Sequence, residues 1–467
     1  MTVLGIALLG VLGVTLSIRP AWLPVVLGVA AGLPASAGVA FGENGVPLFS
    51  VAAAGAVIAL VGSRRLGTAH WTANAFAVLI AWSAVITALG PWMFAGTRVL
   101  VPRGGVDEQV LDPGMLQYSV STVAQFGYLA LSACATLHLV RVRGAVTAAA
   151  VALVVGTVLS SIRGVMVAVG ADVLAPLVDT MPNIQYSETD PGDRLRGVLS
   201  EPSELATFSL AAAAFAVVAA MRANGRRRLL WAVVCALACS NLLQASSGTA
   251  VVASAVFIAF GVVVLAVRYV ARGGTGTPWL VIGLLVAGIV ALTAGDRLLA
   301  PVQEIVADKV GSTSYNARTG ADTFSWGVVA DTLGLGTGLG GNRPSSFALA
   351  LLSTLGIPGT VAFTALAVGI IVAAVRTPRT VPAGIALVAL LVAKVVGTPD
   401  FSTPILWVLI AACAVPAWTR DQRPAPDTAR LRPGPGPGPG PGPGPGAEHR
   451  PPPTPTSPIP IRTGARP

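Results

Sequence analysis

Uncharged apolar runs recur along almost the whole of this 467-residue chain. Each run has about 17 to 25 residues, which is enough to cross the hydrocarbon layer of a membrane as an α-helix. Lipid supplies no water for exposed backbone groups, so such runs must form helices that pack together. Only 11% of the residues are charged, whereas a soluble domain carries roughly 25%. The sequence therefore predicts an all-α, polytopic transmembrane helix bundle.

The apolar pattern predicts about twelve to thirteen spans within residues 1–418. Only Ile18-Arg19-Pro20 separates the first two spans. These two segments can instead form a helical hairpin that does not fully cross the membrane. No Lys or Arg precedes the first run, and a cleaved signal peptide is therefore not expected. The predicted spans are 2–17, 21–41, 47–63, 71–95, 119–138, 145–163, 202–221, 229–245, 248–267, 279–295, 345–375, 382–397 and 404–418.

Arginines collect in one set of alternate loops that contain no Asp or Glu. By the positive-inside rule these loops face the cytoplasm, so we expect a multi-pass protein of the cytoplasmic (inner) membrane with its C-terminus inside. The net charge of +10 then follows from topology. It does not indicate nucleic-acid binding, because no basic patch is interleaved with aromatic residues. The arginines of these loops are Arg19, Arg64, Arg65, Arg141, Arg143, Arg222, Arg226, Arg227, Arg228, Arg268, Arg272, Arg376 and Arg379.

Three segments on the expected outer side are long, at about 96–118, 164–201 and 296–344. Loops of this kind usually carry function. Residues 164–182 are moderately apolar with few charges, which predicts a helix lying along the outer membrane surface.

Residues 419–467 differ from the rest of the chain in being rich in Pro-Gly repeats. Such a segment cannot bury a core, so we predict a disordered cytoplasmic tail. The tail suits either a flexible tether or a ligand for a Pro-binding protein partner.

Eight Lys or Arg residues lie on the expected outer side of the second half of the membrane domain or at its border. Arg presents a planar fork that matches phosphate oxygens in pairs, so the group suggests a cationic pocket for a phosphorylated or acidic ligand. The alternative is that these side chains extend to the membrane interface and pair with outer acids. The eight residues are Arg163, Arg194, Arg196, Arg297, Lys309, Arg318, Arg343 and Lys394.

The segment "SEPSE", which contains Glu201 and Glu204, opens one of the predicted spans. Pro202 suits the first turn of a helix, and both acids complement the positive end of the helix dipole. Glu204 can also complete a capping box. Helix initiation alone needs neither two acids in place of Ser or Asp nor the two arginines that precede them. A role of this segment in a functional site therefore also stays open.

The stretch "LGLGTGLGGNRPSS" (residues 333–346) is rich in glycine. Gly336, Gly338 and Gly341 satisfy G-x-G-x-x-G, but no βαβ unit surrounds them, which excludes a Rossmann interpretation. Glycines do permit a tight turn whose N–H groups face an anion, with Arg343 beside them.

We expect neither a metal nor a cofactor. Cys235 and Cys239 lie one helical turn apart, and no His or acid joins them, so packing explains them better than metal binding. No Walker, HExxH or GxSxG motif occurs in the sequence.

Three segments together resemble the O-antigen ligase/polymerase family over about residues 145–400. They are "RLRGVLSEPSELATF", "QASSGTAVVASAV" and "DTLGLGTGLGGNRPSSFALALLSTLGIPG". Members of this family are bacterial membrane glycosyltransferases that act on polyprenyl-diphosphate-linked sugars outside the cytoplasmic membrane. The resemblance implies a role in cell-surface polysaccharide biosynthesis, with a lipid-linked oligosaccharide donor and a glycan acceptor as partners.

The resemblance also implies that arginines on two outer loops hold the donor diphosphate. The matching positions are Arg194 or Arg196 on the first loop, and Arg318 and Arg343 on the second. Arg163, from the cationic group described above, is placed with them. Preorganised cations would stabilise the departing diphosphate, without nucleotide sugar or catalytic metal.

This chain departs from the ligase branch, which carries a His in the long loop before the later span. Its histidines are His70, His138 and His449, and all lie elsewhere. The polymerase branch, with its acidic motifs, fits better, and Glu201 is then the best candidate base or acceptor-positioning group. Asp193 and Asp322 remain alternatives.

Two other classes of protein stay open on the sequence. A transporter or flippase would use charged residues at the membrane midplane and inverted repeats, whereas the charges here lie towards one face. A non-catalytic scaffold for surface glycan assembly would also tolerate this topology.

Overall fold

The computed structural model describes residues 1–42, 44–62, 71–100, 113–182, 184, 186, 194–271 and 313–420. Among the sequence predictions, the span 279–295, the candidate base Asp193 and nearly all of the tail lie outside these residues. Arg297 and Lys309 of the cationic group also lie outside them.

Fifteen α-helices lie within the described residues, together with two short pairs of antiparallel strands, which confirms the predicted all-α bundle. The helices are α1 (Val3–Ile18), α2 (Leu23–Ala31), α3 (Leu48–Gly62), α4 (Trp71–Met93), α5 (Val120–Arg141), α6 (Ala145–Ala168), α7 (Ala175–Val178), α8 (Pro202–Arg222), α9 (Gly225–Gln244), α10 (Gly248–Ala271), α11 (Thr313–Asp331), α12 (Phe347–Thr354), α13 (Gly356–Val375), α14 (Val381–Gly397) and α15 (Pro404–Arg420). The strands are β1 (Ala37–Phe41), β2 (Asn44–Pro47), β3 (Arg98–Leu100) and β4 (Pro113–Met115).

Five of these helices, α4, α5, α6, α8 and α13, are long and apolar enough to cross a membrane. Shorter apolar helices of 10–17 residues accompany them, among them α1, α3, α14 and α15. The chain is therefore an integral membrane protein with several apolar helices.

The prediction of one span over 21–41 is wrong. Helix α2 ends at Ala31, and the chain then enters an antiparallel hairpin in which Ala37 pairs with Pro47. Pro34 explains the early end, because proline disfavours helical backbone at the residue before it.

The predicted span 345–375 is divided into α12 and α13. The break falls at Gly356, which adopts the left-handed φ of +68°. A Cβ at this position would lie 2.3 Å from Leu335 O, so only glycine allows the two segments to approach so closely.

Helix α15 lies at the centre of the bundle. It packs against α2, α4, α5, α6, α13 and α14, and its residues from Ile405 to Ala414 are at most 3% exposed. A helix that is apolar on all sides is suited to such a buried position. Helix α15 begins at Pro404, so this central helix starts directly after the loop that joins it to α14.

Hydrogen bonds join the long connecting segments at one end of the bundle, which we call the site end. These bonds run from Ser36 to Val178, from Leu195 to Gln244, from Arg343 to Leu100 and from Ser402 to Gln125. At the opposite end, which we call the arginine end, Arg222 donates to Pro378 O. The site end therefore gathers the segments that the sequence places outside.

We expect the site end to face the cell exterior, because the arginine-rich loops lie at the other end. In a variant with the four native cysteines replaced, a cysteine at exposed Ala171 should react with an impermeant thiol reagent in whole cells. A cysteine at exposed Asn224, at the arginine end, should react only after permeabilisation. Labelling in the reverse pattern would contradict this orientation.

Candidate active site

Arg163 on α6 is fully buried, with 0% of its surface exposed. A guanidinium has five N–H donors, and here each has an oxygen acceptor. Nε and Nη2 donate to Asp172, Nη1 and Nη2 donate to Asp179, and Nη1 also donates to Gly197 O at 2.8 Å. Asp172 and Asp179 follow α6 in the chain, so Arg163 fixes the segment after its own helix.

This arrangement corrects the predicted interfacial helix over 164–182. Helix α6 continues to Ala168, and only the four-residue α7 follows it. The segment folds back because Asp172 and Asp179 pair with Arg163.

Arg196 shares Asp179 with Arg163. Its Nη1 donates to Asp179 Oδ1 at 2.9 Å and to Leu199 O at 3.0 Å, and its guanidinium lies 5.0 Å from the centre of the Tyr186 ring. Burial raises the pKa of Tyr186 to about 12, so its hydroxyl stays protonated and donates to Ala35 O.

Burial alone would raise the pKa of the Asp179 carboxyl. Hydrogen bonds from Arg196 and Arg163, with their positive charges, outweigh burial and hold this pKa below its ordinary value. The resulting stabilisation of the fold is present above about pH 3.9, the pKa of an unperturbed Asp. It is lost as the pH falls through the lower pKa of the folded state.

Arg163 and Arg196 are thus held by carboxylates, which matches the alternative that the sequence left open for the cationic group. In this conformation the Arg163 donors and both Arg196 Nη groups bond to carboxylate and backbone oxygens of the protein, while Arg196 Nε is buried without a hydrogen-bond partner among the described residues. Arg194 and Arg343, by contrast, are exposed at the site end. Arg318 is half-buried on α11.

The two acids of "SEPSE" have different surroundings at the start of α8. Glu201 is exposed and is the N-cap residue, and its Oε2 accepts a hydrogen bond from Ser203 Oγ at 3.0 Å. Glu204 is partly exposed, and its Oε2 accepts from Ser200 Oγ at 2.6 Å and from Ser200 N at 3.3 Å. Glu204 therefore fixes the turn that presents Glu201, in a variation on a capping box.

Lys394, in the last turn of α14, is only 1% exposed. Its Nζ donates to Thr403 Oγ1 at 2.9 Å and lies 5.1 Å from the centre of the Phe347 ring. Asp400 and Glu204 act on Lys394 electrostatically, although within the described residues neither forms a direct ion pair with it. We call Glu201, Glu204, Asp400 and Lys394 the carboxylate–lysine cluster.

Asp322 on α11 holds the start of α12. Its Oδ1 accepts hydrogen bonds from Ser345 N at 2.7 Å and from Ser346 N at 3.1 Å. Arg318 precedes Asp322 by one helical turn, and Arg343 precedes Ser345 by two residues. The Asp322 carboxylate therefore holds the segment that follows Arg343 against α11, the helix that carries Arg318.

The glycine loop (residues 333–343) does not present the expected anion-binding turn. Its N–H groups are used within the protein: Thr337 N donates to Ser353 O, Gly338 N to Thr354 O and Leu339 N to Thr87 Oγ1. A Cβ at Gly338 would lie 2.7 Å from Thr87 Cα. These glycines allow close packing between α4 and α12.

Phe347 connects the loop region to the carboxylate–lysine cluster. It is the first residue of α12, directly after Ser346, and the Lys394 ammonium lies over its ring. The start of α12 therefore meets α14 at Lys394, and α8, which is far from α12 in the sequence, packs against the same helix.

A separate cleft of about 600 Å³ lies between residues 95–98 and α11, and Arg98, Thr323 and Asp331 are among its lining residues. Among the described residues, none that lines it belongs to α8 or α14. The cleft thus lies beside the Asp322 region and apart from the carboxylate–lysine cluster.

No family model matches this chain, and no curated protein gives a match to it. In the part of the chain that the structure describes, no group of three or more His, Cys, Asp or Glu side chains could hold a metal ion.

Sequence reasoning noted Lys394 but did not place it in the site, and it missed Asp400 and Ser200. A lysine in an otherwise uncharged run, six residues before an aspartate, is a usable signal, because buried charges need partners. Ser200 has no such signal, since its role depends on the turn geometry.

We expect Asp179→Asn to destabilise the protein by about 3–5 kcal/mol, because it leaves two buried arginines without their shared counter-charge. Thermal unfolding of the purified protein in detergent would show this as a large fall in Tm. Asp331→Asn, at the exposed end of α11, is the matched control. Equal Tm values for the two variants would contradict a structural role for the ion pairs.

Proposed function

We propose that the chain is a glycosyltransferase that polymerises or ligates polyprenyl-diphosphate-linked oligosaccharides at the site end. The observation that carries the proposal is that α8 and α12 both pack against α14, with Phe347 at the start of α12 lying under Lys394 of α14. Helices α8 and α12 begin in two of the three segments by which the sequence resembles the O-antigen ligase/polymerase family. Exposed Arg194 and Arg343 supply cations at the same end of the bundle.

The proposed reaction is a displacement at the anomeric carbon of the donor sugar. The acceptor hydroxyl oxygen bonds to this carbon while the bond from the carbon to the diphosphate oxygen breaks. The electron pair of that bond leaves with the diphosphate, and the proton of the hydroxyl passes to a carboxylate. Glu201 is the proposed base because it is exposed and, among the described residues, accepts a single hydrogen bond, from Ser203 Oγ.

Arg194, Arg318 and Arg343 are the proposed ligands of the diphosphate. Arg163 and Arg196 contribute indirectly in this proposal, since their pairs with Asp172 and Asp179 hold residues 195–199 in place just before Glu201. Asp322 supports the second group of arginines by capping α12.

Deleting the gene in its native host tests the function. The proposal predicts loss of long surface glycan and accumulation of lipid-linked oligosaccharide on the outer leaflet. Accumulation on the inner leaflet would instead indicate a flippase. Normal surface glycan in the deletion strain would contradict the proposal.

The arginine ligands are tested by substitutions that keep the charge. Arg194→Lys and Arg343→Lys lose the planar fork that matches phosphate oxygens in pairs. At least one should lower polymer formation by about 10-fold or more, as expected for the loss of bidentate contacts worth about 1.4 kcal/mol or more. Arg376→Lys, which is exposed at the arginine end, is the matched control. Wild-type activity in both Lys variants and in the corresponding Ala variants would exclude these two ligands.

The base is tested by Glu201→Gln, which keeps the size of the side chain but cannot take up a proton. Polymer formation should fall about 100-fold or more at unchanged protein level. A helix-capping role alone would cost only about 0.3–1 kcal/mol of stability. Polymer formation at the wild-type rate in this variant would exclude Glu201 as the base.

A further inference from the structure

The cleft of about 600 Å³ lies between two elements of the site end. Residues 95–98 form one wall, and the part of α11 from Thr323 to Asp331 forms the other. Sites for small organic ligands are concave and have volumes of about 300–1,000 Å³. The cleft therefore has the size of a ligand-binding site.

Four side chains that line the cleft carry hydrogen-bonding groups with no partner among the described residues. Arg98 and Asp331 are exposed, and within the described part of the chain neither forms an ion pair or a side-chain hydrogen bond. The hydroxyls of Thr97 and Thr323 likewise form no hydrogen bond with any described residue. Arg163, by contrast, directs every donor at an oxygen of the protein. The four cleft groups are therefore available to a ligand.

Both walls of the cleft are hydrogen-bonded to the segment that carries Arg343. On β3, the strand of Arg98, Leu100 O accepts from Arg343 N at 3.0 Å, and Leu100 N donates to Asn342 Oδ1 at 2.9 Å. The Asn342 amide nitrogen donates in turn to Ser325 Oγ on α11 at 3.0 Å. Asn342 is only 4% exposed, so these bonds fix the cleft next to the backbone of Arg343.

The chemistry of the cleft favours a neutral ligand that is rich in hydroxyl groups. One arginine and one aspartate give no net charge, so a phosphate attracted by Arg98 would be repelled by Asp331. An apolar ligand would remove both charges from water without supplying hydrogen bonds. A hydroxyl group can donate to a carboxylate and accept from a guanidinium. Phe324, which also lines the cleft, offers apolar area to the C–H face of a sugar ring.

We propose that the cleft binds sugar units of the lipid-linked donor oligosaccharide through hydrogen bonds to Arg98 and Asp331. The assignment to the donor follows from the bonds between both walls and the segment of Arg343, a proposed ligand of the donor diphosphate. Among the described residues, none that lines the cleft belongs to α8 or α14, so the bound sugar units lie away from Glu201. The identity of the glycan rests on the proposed function, whereas the presence of a saccharide site rests on the cleft alone.

Saturation-transfer NMR on the purified chain in lipid nanodiscs measures the binding. The probe is oligosaccharide that mild acid releases from the polyprenyl diphosphate of the native host, so neither lipid nor phosphate contributes. Wild type should bind this probe saturably. Arg98→Ala and Asp331→Ala should each weaken binding about 10-fold, as expected for the loss of hydrogen bonds to a charged group. Thr323→Trp, which fills the cleft, should abolish binding.

The matched control is Arg226→Ala, which removes an exposed arginine at the arginine end and should bind the probe as wild type does. The three substituted cleft residues are exposed, so their variants should keep the wild-type Tm.

Two binding results would overturn the proposal. One is a wild-type protein that does not bind the oligosaccharide, or cleft variants that all bind it as tightly as wild type. The other is binding of inorganic pyrophosphate that Arg98→Ala abolishes, which would make the cleft an anion site.

Steady-state kinetics with the intact lipid-linked oligosaccharide separates the cleft from the proposed function. Arg98→Ala and Asp331→Ala should raise KM about 10-fold and leave kcat nearly unchanged, because contacts remote from the reacting bond stabilise the bound substrate and the transition state equally. An unchanged KM in both variants would overturn the donor assignment while the proposed function stands. If wild type elongates no glycan while the cleft-dependent binding persists, the proposed function fails and the saccharide site stands.

Discussion

Compensation of buried charge is the constraint on which the site end depends. Arg163 carries a full charge at 0% exposure, and removing such an ion from water is costly unless partners surround it. Asp172, Asp179 and Gly197 supply those partners. Asp172 and Asp179 lie after α6 and Gly197 lies before α8, so one guanidinium connects the described residues that follow α6 to those that precede α8.

The same constraint operates around Lys394, with a different chemical result. Arg163 is paired directly with two carboxylates, and these pairs leave no donor for a ligand. Lys394 donates to Thr403 Oγ1, and within the described residues the carboxylates of Asp400 and Glu204 act on it electrostatically without a direct ion pair. The first cluster is thus a structural support, whereas the second retains ionisable groups at a partly exposed position. We therefore place the proposed chemistry at the second cluster and the supporting role at the first.

Much of the helical architecture could be predicted, because lipid converts an uncharged run directly into a helix. Helices α8 and α14 coincide closely with the predicted spans 202–221 and 382–397. The hairpin after α2 and the break at Gly356 could not be predicted in this way, since both depend on local backbone conformation within apolar sequence.

The partners of the charged residues were less predictable than the helices. The sequence identified Arg163 and Arg196 as unusual, but it contains no information on whether a phosphate or Asp179 meets them. Similarly, the G-x-G-x-x-G pattern suggested an anion-facing turn, whereas the loop N–H groups bond to Ser353, Thr354 and Thr87. Contacts of this kind depend on tertiary packing, which local patterns do not specify.

The most direct test of the account is reconstitution of the purified chain in liposomes with isolated lipid-linked oligosaccharide, in the absence of nucleotide sugars. We predict longer lipid-linked or acceptor-linked glycans, with one polyprenyl diphosphate released for each new linkage. Movement of the lipid-linked oligosaccharide across the bilayer without any new linkage, or no change in the substrate at all, would contradict the account.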